Sequence, residues 1–240
     1  MSTPGAERGL TLARREPLHR LRRVMAQTMK QSVDTAALSQ LAREVDVTAV
    51  SEWRAASLAG GAAKFSLNDV FMSAVARLLP AHPWLSAELD GQHVNFYQEI
   101  NLGMAIAVPD GLIVGVIRAA DQLALADMAA ATQALAGKAR SGRITLDDVT
   151  GGTFTVSNLG MLGIDSGFAL PRPPEAAILL IGRARPQLAL TAGVVEARQV
   201  ATFSLTYDHR LIDGRLVAEF LAAVQEALNA PASIWEGKQG

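Results

Sequence analysis

The octet Tyr207-Asp208-His209-Arg210-Leu211-Ile212-Asp213-Gly214 sets a histidine between a strand-like and a helix-like run. An aspartate follows four residues on, with a glycine after it. Histidine is the side chain whose ordinary pKa lies nearest neutrality, so His209 is the natural proton acceptor of this chain. Few residues compete for that role, since the chain has four His and no Cys. One turn could bring the Asp213 carboxylate to the same locus, to fix the local backbone, orient the imidazole or hold a nearby Arg. Spacing alone also fits a loop histidine followed by an Asp that starts a helix.

Ser157 closes the run Thr153-Phe154-Thr155-Val156-Ser157, just before Asn158-Leu159-Gly160. A hydroxyl there can donate to a developing oxyanion, an effect typically worth ~3 kcal/mol. Ser-Asn before Gly is also good turn chemistry. The residue types permit a Ser–His–Asp triad, but Ser157 is not in a Gly-x-Ser-x-Gly elbow. Phosphate loop, dinucleotide fingerprint and His-x-x-x-His pair are all missing from the sequence. Without Cys there is no disulfide framework, thiolate nucleophile or Cys-based metal site, and no metal is expected. His19, His82 and His93 fall in polar or helix-ending contexts and read as surface or structural.

The elements that must position these groups follow from periodicity and breakers. Apolar residues at three- and four-residue spacings predict helices over 17–33, 48–59, 66–80, 124–140 and 216–229. Ser66 with Asp69 forms a capping-box pattern. Strands are expected over 38–48, 94–98, 100–108, 112–118, 153–157, 176–183, 187–191 and 199–207, with Pro109-Asp110-Gly111 turning the third back on the fourth. Residues 158–174, with three Gly and three Pro, read as a long loop, and the tail from Pro231 as irregular. Strands in groups, without regular alternation with helices, predict an α/β (α+β sandwich) class: a mixed β-sheet covered by helices.

Length and composition agree. The 240 residues suit one domain, half of them are hydrophobic, and the net charge of -1 gives no basic excess for nucleic acid. The Arg-rich stretch from Arg14 to Arg23 reads as a solvated helix face. No window is long and apolar enough to span a membrane, and the N-terminus lacks the apolar core of a signal peptide, so a cytoplasmic protein is expected.

Three motifs then agree with one another. "GGTFTVSNLGMLGID", "RPPEAAILLIGRARP" and "SLTYDHRLIDG" closely resemble the catalytic core of the dihydrolipoamide acyltransferases of 2-oxoacid dehydrogenase complexes. "PLHRLRRVMAQTM", "EVDVT", "FSLNDVFMSAVA" and "INLGMAIAVPDGLIVGVI" fit earlier and in order, so the resemblance covers about residues 17–230. Chloramphenicol acetyltransferase is similar in fold, but its histidine follows another His, whereas Asp208 precedes His209 here.

The resemblance implies a chloramphenicol-acetyltransferase-like fold over 17–240, after a flexible arm of residues 1–16 and with no lipoyl or subunit-binding domain. It implies His209 as general base, Ser157 as oxyanion donor and Asp213 as support for the histidine, with Asp208 and Asn158 as further supporting residues. Arg22 is the candidate ion partner of Asp213. The acyl group would pass between coenzyme A and a dihydrolipoyl thioester supplied by another domain or chain. The site would lie between subunits of a homotrimer, with His209 of one chain facing Ser157 of the next.

Four departures from the family bear on this. Arg172 stands where Asn is usual before the Pro-Pro pair, and is the candidate contact for a phosphate of coenzyme A or of a carrier protein's phosphopantetheine. Gly115 stands where Pro is common, and 35–42 lacks the usual Pro-His. The tail from Pro231 offers only Ile234 and Trp235 as apolar anchors, so a trimer is expected without the larger cage. A stand-alone enzyme with a carrier-protein or small-molecule acceptor, and a non-catalytic scaffold, remain the alternatives.

Overall fold

Ser66 begins the best-marked helix for the reason the sequence suggests. Its hydroxyl accepts from the Asp69 N–H while the Asp69 carboxylate accepts from the Ser66 N–H. This computed structural model describes residues 9, 11–109 and 111–235. The order is α1 (Arg20–Thr35), β1 (Leu38–Asp46), α2 (Thr48–Ala59), α3 (Leu67–Leu78), β2 (Glu88–Asp90), β3 (His93–Asn95), β4 (Leu102–Val108) and β5 (Gly111–Ile117). Then come α4 (Leu125–Arg140), β6 (Phe154–Asn158), β7 (Ala177–Ile181), β8 (Arg185–Thr191), β9 (Val194–Asp208), α5 (Gly214–Asn229) and α6 (Pro231–Trp235). Of the expected N-terminal arm, residues 1–8 and 10 lie outside the described residues, as do Asp110 of the β4–β5 turn and 236–240 of the tail.

Seven strands form one mixed sheet in the order β1-β9-β7-β6-β4-β5, with β8 paired to the first half of β9. β4, β6 and β7 run parallel, while β5, β9 and β1 are antiparallel to their neighbours. β2 and β3 make a separate hairpin. Neighbouring side chains on a strand point to opposite faces. Phe154, Val156, Leu179, Ile181, Phe203, Leu205 and Tyr207 therefore share one face and join the core. Phe71 of α3 meets Phe203 edge-on at 5.4 Å, and Phe220 of α5 packs on Phe154 at 6.0 Å.

The opposite face is polar yet buried: Thr155, Ser157, Ser204 and Thr206 are each 7 % exposed or less. The loop after β6 covers it. The Gln40 amide donates to the Gly167 carbonyl at 2.6 Å, and the Ser32 hydroxyl of α1 to that of Pro171 at 2.7 Å.

Several expected boundaries move. The tail from Pro231 is helical as far as Trp235, whose indole stacks on Trp53 at 5.1 Å and donates to Ser73 at 2.9 Å. β2 falls in a stretch given no expected element, and β9 begins five residues early, at Val194 rather than Gln199. The β8–β9 turn is Ala192-Gly193, both with positive φ (50° and 84°), so an alanine stands where the usual signal for such a turn is Asn or Asp.

Candidate active site

Ser157 sits one residue from the end of β6, 7 % exposed. Its strand is held against β7 from Thr155↔Ile178 to Asn158↔Ile181. Beyond it the chain turns so tightly against β7 that a Cβ on Gly160 would lie 2.8 Å from the Gly182 carbonyl oxygen, and one on Gly182 would lie 1.9 Å from that of Asp165. Only glycine fits at either position. Asn158 accepts from the Gly160 N–H and donates to the Asn68 carboxamide of α3, both at 3.0 Å. A cavity of about 900 Å³ opens beside Ser157, between the ends of β4 and β6 and helices α3 and α4. Arg54, Lys64 and Arg140 bring positive charge to its wall, and Asn68, Met104 and Met161 line it as well. Sequence reasoning passed over all three cations and Asn68, because they lie far apart along the chain.

His209 follows the last residue of β9. Its backbone N–H donates to the Ala37 carbonyl at 2.8 Å, and its ring lies 5.5 Å from that of Tyr207. Asp208 is 5 % exposed and fastens this turn. Its carboxylate accepts from the N–H groups of Ala37 at 3.2 Å and Arg210 at 3.1 Å, and from Nε of the Arg210 guanidinium at 3.0 Å. Burial alone would raise the Asp208 pKa, but Arg210 and the two N–H groups bring it below the ordinary carboxylate value. Ile212, fully buried, anchors the far side of the turn. Asp213 is the N-cap of α5, its carboxylate accepting from the Leu216 N–H at 2.9 Å. That bond first, then Arg215 and the neighbouring His209, hold its pKa below the ordinary value.

Two supporting assignments change. Arg22 is not among the charges that act on Asp213, whose partners are local. Arg172 turns inward: it donates to the Val149 carbonyl and to the Glu175 carboxylate, each at 2.8 Å. Glu175 is buried and also accepts from the Thr155 hydroxyl. Burial raises its pKa, against the pull of Arg172 and Thr155. The guanidinium therefore neutralises an internal carboxylate, and the phosphate contact expected of it loses its basis. With it goes the specific argument for a carrier-protein acceptor.

Register places the two ends. Ser157 pairs with Leu180, and Leu180 with Ser204, so Ser157 is level with Ser204 two strands away. His209 lies five residues further along β9. At ~3.3 Å per residue and ~4.8 Å per strand, the two Cα atoms are about 19 Å apart. No rotamer of either side chain closes that gap within one chain.

Comparison with known proteins decides the family. The profile described as "2-oxoacid dehydrogenases acyltransferase (catalytic domain)" matches residues 11–235. The chain belongs to this family. It is 34 % identical over 237 residues to the human dihydrolipoyllysine-residue succinyltransferase component of the 2-oxoglutarate dehydrogenase complex, covering 96 % of this chain and 52 % of the relative. The chain thus spans about half the length of the curated relatives it matches.

Two solved structures each superpose with a TM-score of 0.90 at 29 % identity, covering 98 % of both chains. One is the cubic core of the pyruvate dehydrogenase multienzyme complex. The other is Azotobacter vinelandii dihydrolipoamide acetyltransferase, studied for the role of a serine, a histidine and an asparagine in its catalytic mechanism. Those residues are separated by 52 and 4 positions, the separations of Ser157, His209 and Asp213. Chloramphenicol acetyltransferase, at 16 % identity and a TM-score of 0.57, shares the fold.

Proposed function

We propose that this chain moves an acyl group between a dihydrolipoyl thioester and coenzyme A, at a site shared by neighbouring copies in a homotrimer. One observation carries the reading: Ser157, His209 and Asp213 keep the spacing of the three residues studied in the acetyltransferase, on the same fold. The separation of about 19 Å within the chain supports a histidine supplied by another copy.

The steps follow from these groups. The imidazole of His209 takes the proton of the coenzyme A thiol as its sulfur attacks the acyl carbonyl carbon. The carbonyl oxygen becomes an oxyanion, which the Ser157 hydroxyl of the adjacent chain holds by donating a hydrogen bond. Collapse restores the carbonyl and breaks the bond to the dihydrolipoyl sulfur, which receives the proton from the imidazolium. One thioester replaces another, so alignment and exclusion of water are the main demands on the protein. The cavity ending at Ser157 suits the pantetheine arm of coenzyme A, and Arg54, Lys64 and Arg140 suit its phosphates.

The trimer has a candidate contact at the Ser157 end. There the β8–β9 hairpin runs past the rest of the sheet with Leu188, Leu190, Val194 and Val195 each at least 60 % exposed. A two-stranded hairpin with such an apolar surface needs a covering partner. Trp235 is engaged within its own chain, which supports a trimer without a cage.

The test is complementation. His209→Ala and Ser157→Ala chains, each nearly inactive, are co-expressed and assayed with dihydrolipoamide and succinyl- or acetyl-coenzyme A. Sites shared between random subunits regain about a quarter of wild-type activity, because half the histidines and half the serines are intact and pair independently. Mixed assemblies with no activity above the single variants would sink the shared site. Wild type inactive with every acyl-coenzyme A would sink the reaction.

A further inference from the structure

We propose that Asn68 is a positioning residue for Ser157, acting through Asn158; the inference rests on the acyl-transfer reading above. An oxyanion donor must be held to within about 0.5 Å, yet Ser157 lies near the end of a five-residue strand. On the β7 side its ladder continues to Asn158↔Ile181. On the β4 side it stops at Met104↔Val156, so neither Ser157 nor Asn158 has a strand partner there. Asn68 supplies a tether from α3 instead, through the Asn158 side chain. Its carboxamide oxygen receives the Asn158 Nδ2–H at 3.0 Å, and both residues line the cavity that ends at Ser157.

The direction of this bond is fixed. Asn158 Oδ1 is occupied by the Gly160 N–H, which can only donate. Asn158 therefore turns its NH₂ toward α3, and Asn68 must present oxygen. The base under Asn68 is rigid. It is the second residue of α3, between the two halves of the Ser66–Asp69 capping box. The buried Asp69 carboxylate also receives the Thr132 hydroxyl of α4 at 2.6 Å. The amide pair thus ties the end of β6 to α3, and the Asp69–Thr132 bond ties α3 to α4.

The experiment uses the full chain and four variants. Asn68→Ala removes the acceptor; kcat is expected to fall about 10-fold while KM for coenzyme A stays within about 2-fold. Asn68→Asp keeps an acceptor and Asn158→Asp lets the Asn68 amide flip and donate, so each retains kcat within about 3-fold. The double variant Asn68→Asp/Asn158→Asp sets two carboxylates face to face and loses at least about 10-fold, more than the two singles combined. A role in fold stability alone would not give that pattern. Wild-type kcat in Asn68→Ala, equal losses in Asn68→Ala and Asn68→Asp, or additive behaviour of the double variant would each overturn the proposal while leaving the acyltransferase reading intact. A crystal structure of Asn68→Ala reads the same point without turnover: a Ser157 that superposes on wild type within about 0.3 Å overturns it, and a displaced Ser157 supports it.

Discussion

The two ends of the sheet are built in opposite ways. At one, the Ser157 hydroxyl is buried and the cavity beside it is open, with its walls tied to α3 and α4. At the other, the His209 side chain is exposed, while the backbone beneath it is fastened by Asp208, Ala37 and Ile212. A buried donor without a base cannot move a proton, and an exposed imidazole cannot work in a dry site. Each end supplies what the other lacks. On the proposed reading, each half-site is rigid and stays inert until a second copy brings the opposite end to it.

Removing either contribution tests that division, and the larger loss belongs to the base. His209→Ala is expected to lower kcat about 10³-fold, with the assembly's mass by light scattering unchanged from wild type. Ser157→Ala is expected to cost 10²- to 10³-fold, roughly 3 kcal/mol of transition-state stabilisation, with little change in KM. Near-normal turnover in the histidine variant would take His209 out of the mechanism. A serine variant changed in KM alone would make the hydroxyl a substrate contact.

Arg172 probes what lies between the ends. Thr155 stands two residues before Ser157 on the same face, and Glu175 joins it to Arg172 just before β7. Arg172→Met leaves a buried carboxylate without its cation and is expected to cost about 3 kcal/mol in urea unfolding at pH 7. The sign with pH follows from burial, which already raises the Glu175 pKa. A raised carboxyl favours the protonated fold, so stability in the variant is greatest at low pH and falls as pH rises through the folded pKa. Adding Glu175→Gln restores most of the loss. If Arg172→Met is neutral at every pH, the pair does not support the β6 strand.

Much of this was legible in the sequence, and the rest was hidden for physical reasons. Ser66 with Asp69, and the antiparallel pairing of β4 with β5, rest on local signals, and both formed as read. The octet around His209 was legible because strand, turn and helix cap are contiguous there. Arg172 and Arg22 misled because a cation's partner is set by tertiary packing, which spacing does not reveal. Arg172 found its carboxylate three residues on, inside the fold. Asn68 was hidden because its partner is ninety residues away. The separation of Ser157 from His209 was implied only through the family resemblance; its physical basis is the register of β6, β7 and β9, which the pattern of residues does not give.

Asp213 is where the smallest effect separates two explanations of the exposed end. As the cap of α5 it needs only an acceptor oxygen for the Leu216 N–H; as an electrostatic partner of His209 it needs its charge. Asp213→Asn keeps the first and removes the second. If capping dominates, that variant is expected to hold Tm within about 1 °C at pH 7 and kcat within about 3-fold. Asp213→Ala, which loses both, should lower Tm by roughly 2–4 °C and kcat by about 10-fold. Acid sharpens the contrast. The Asp213 carboxyl titrates below the usual range because the Leu216 N–H favours its charged form, so its contribution is complete above the ordinary carboxylate pKa. It fades as pH falls through the lowered value, where the asparagine cap is unaffected and the Tm of Asp213→Asn should overtake that of wild type. An asparagine variant as slow as the alanine one at pH 7 would show that charge beside the imidazole, and not the start of α5, is what this end of the sheet requires.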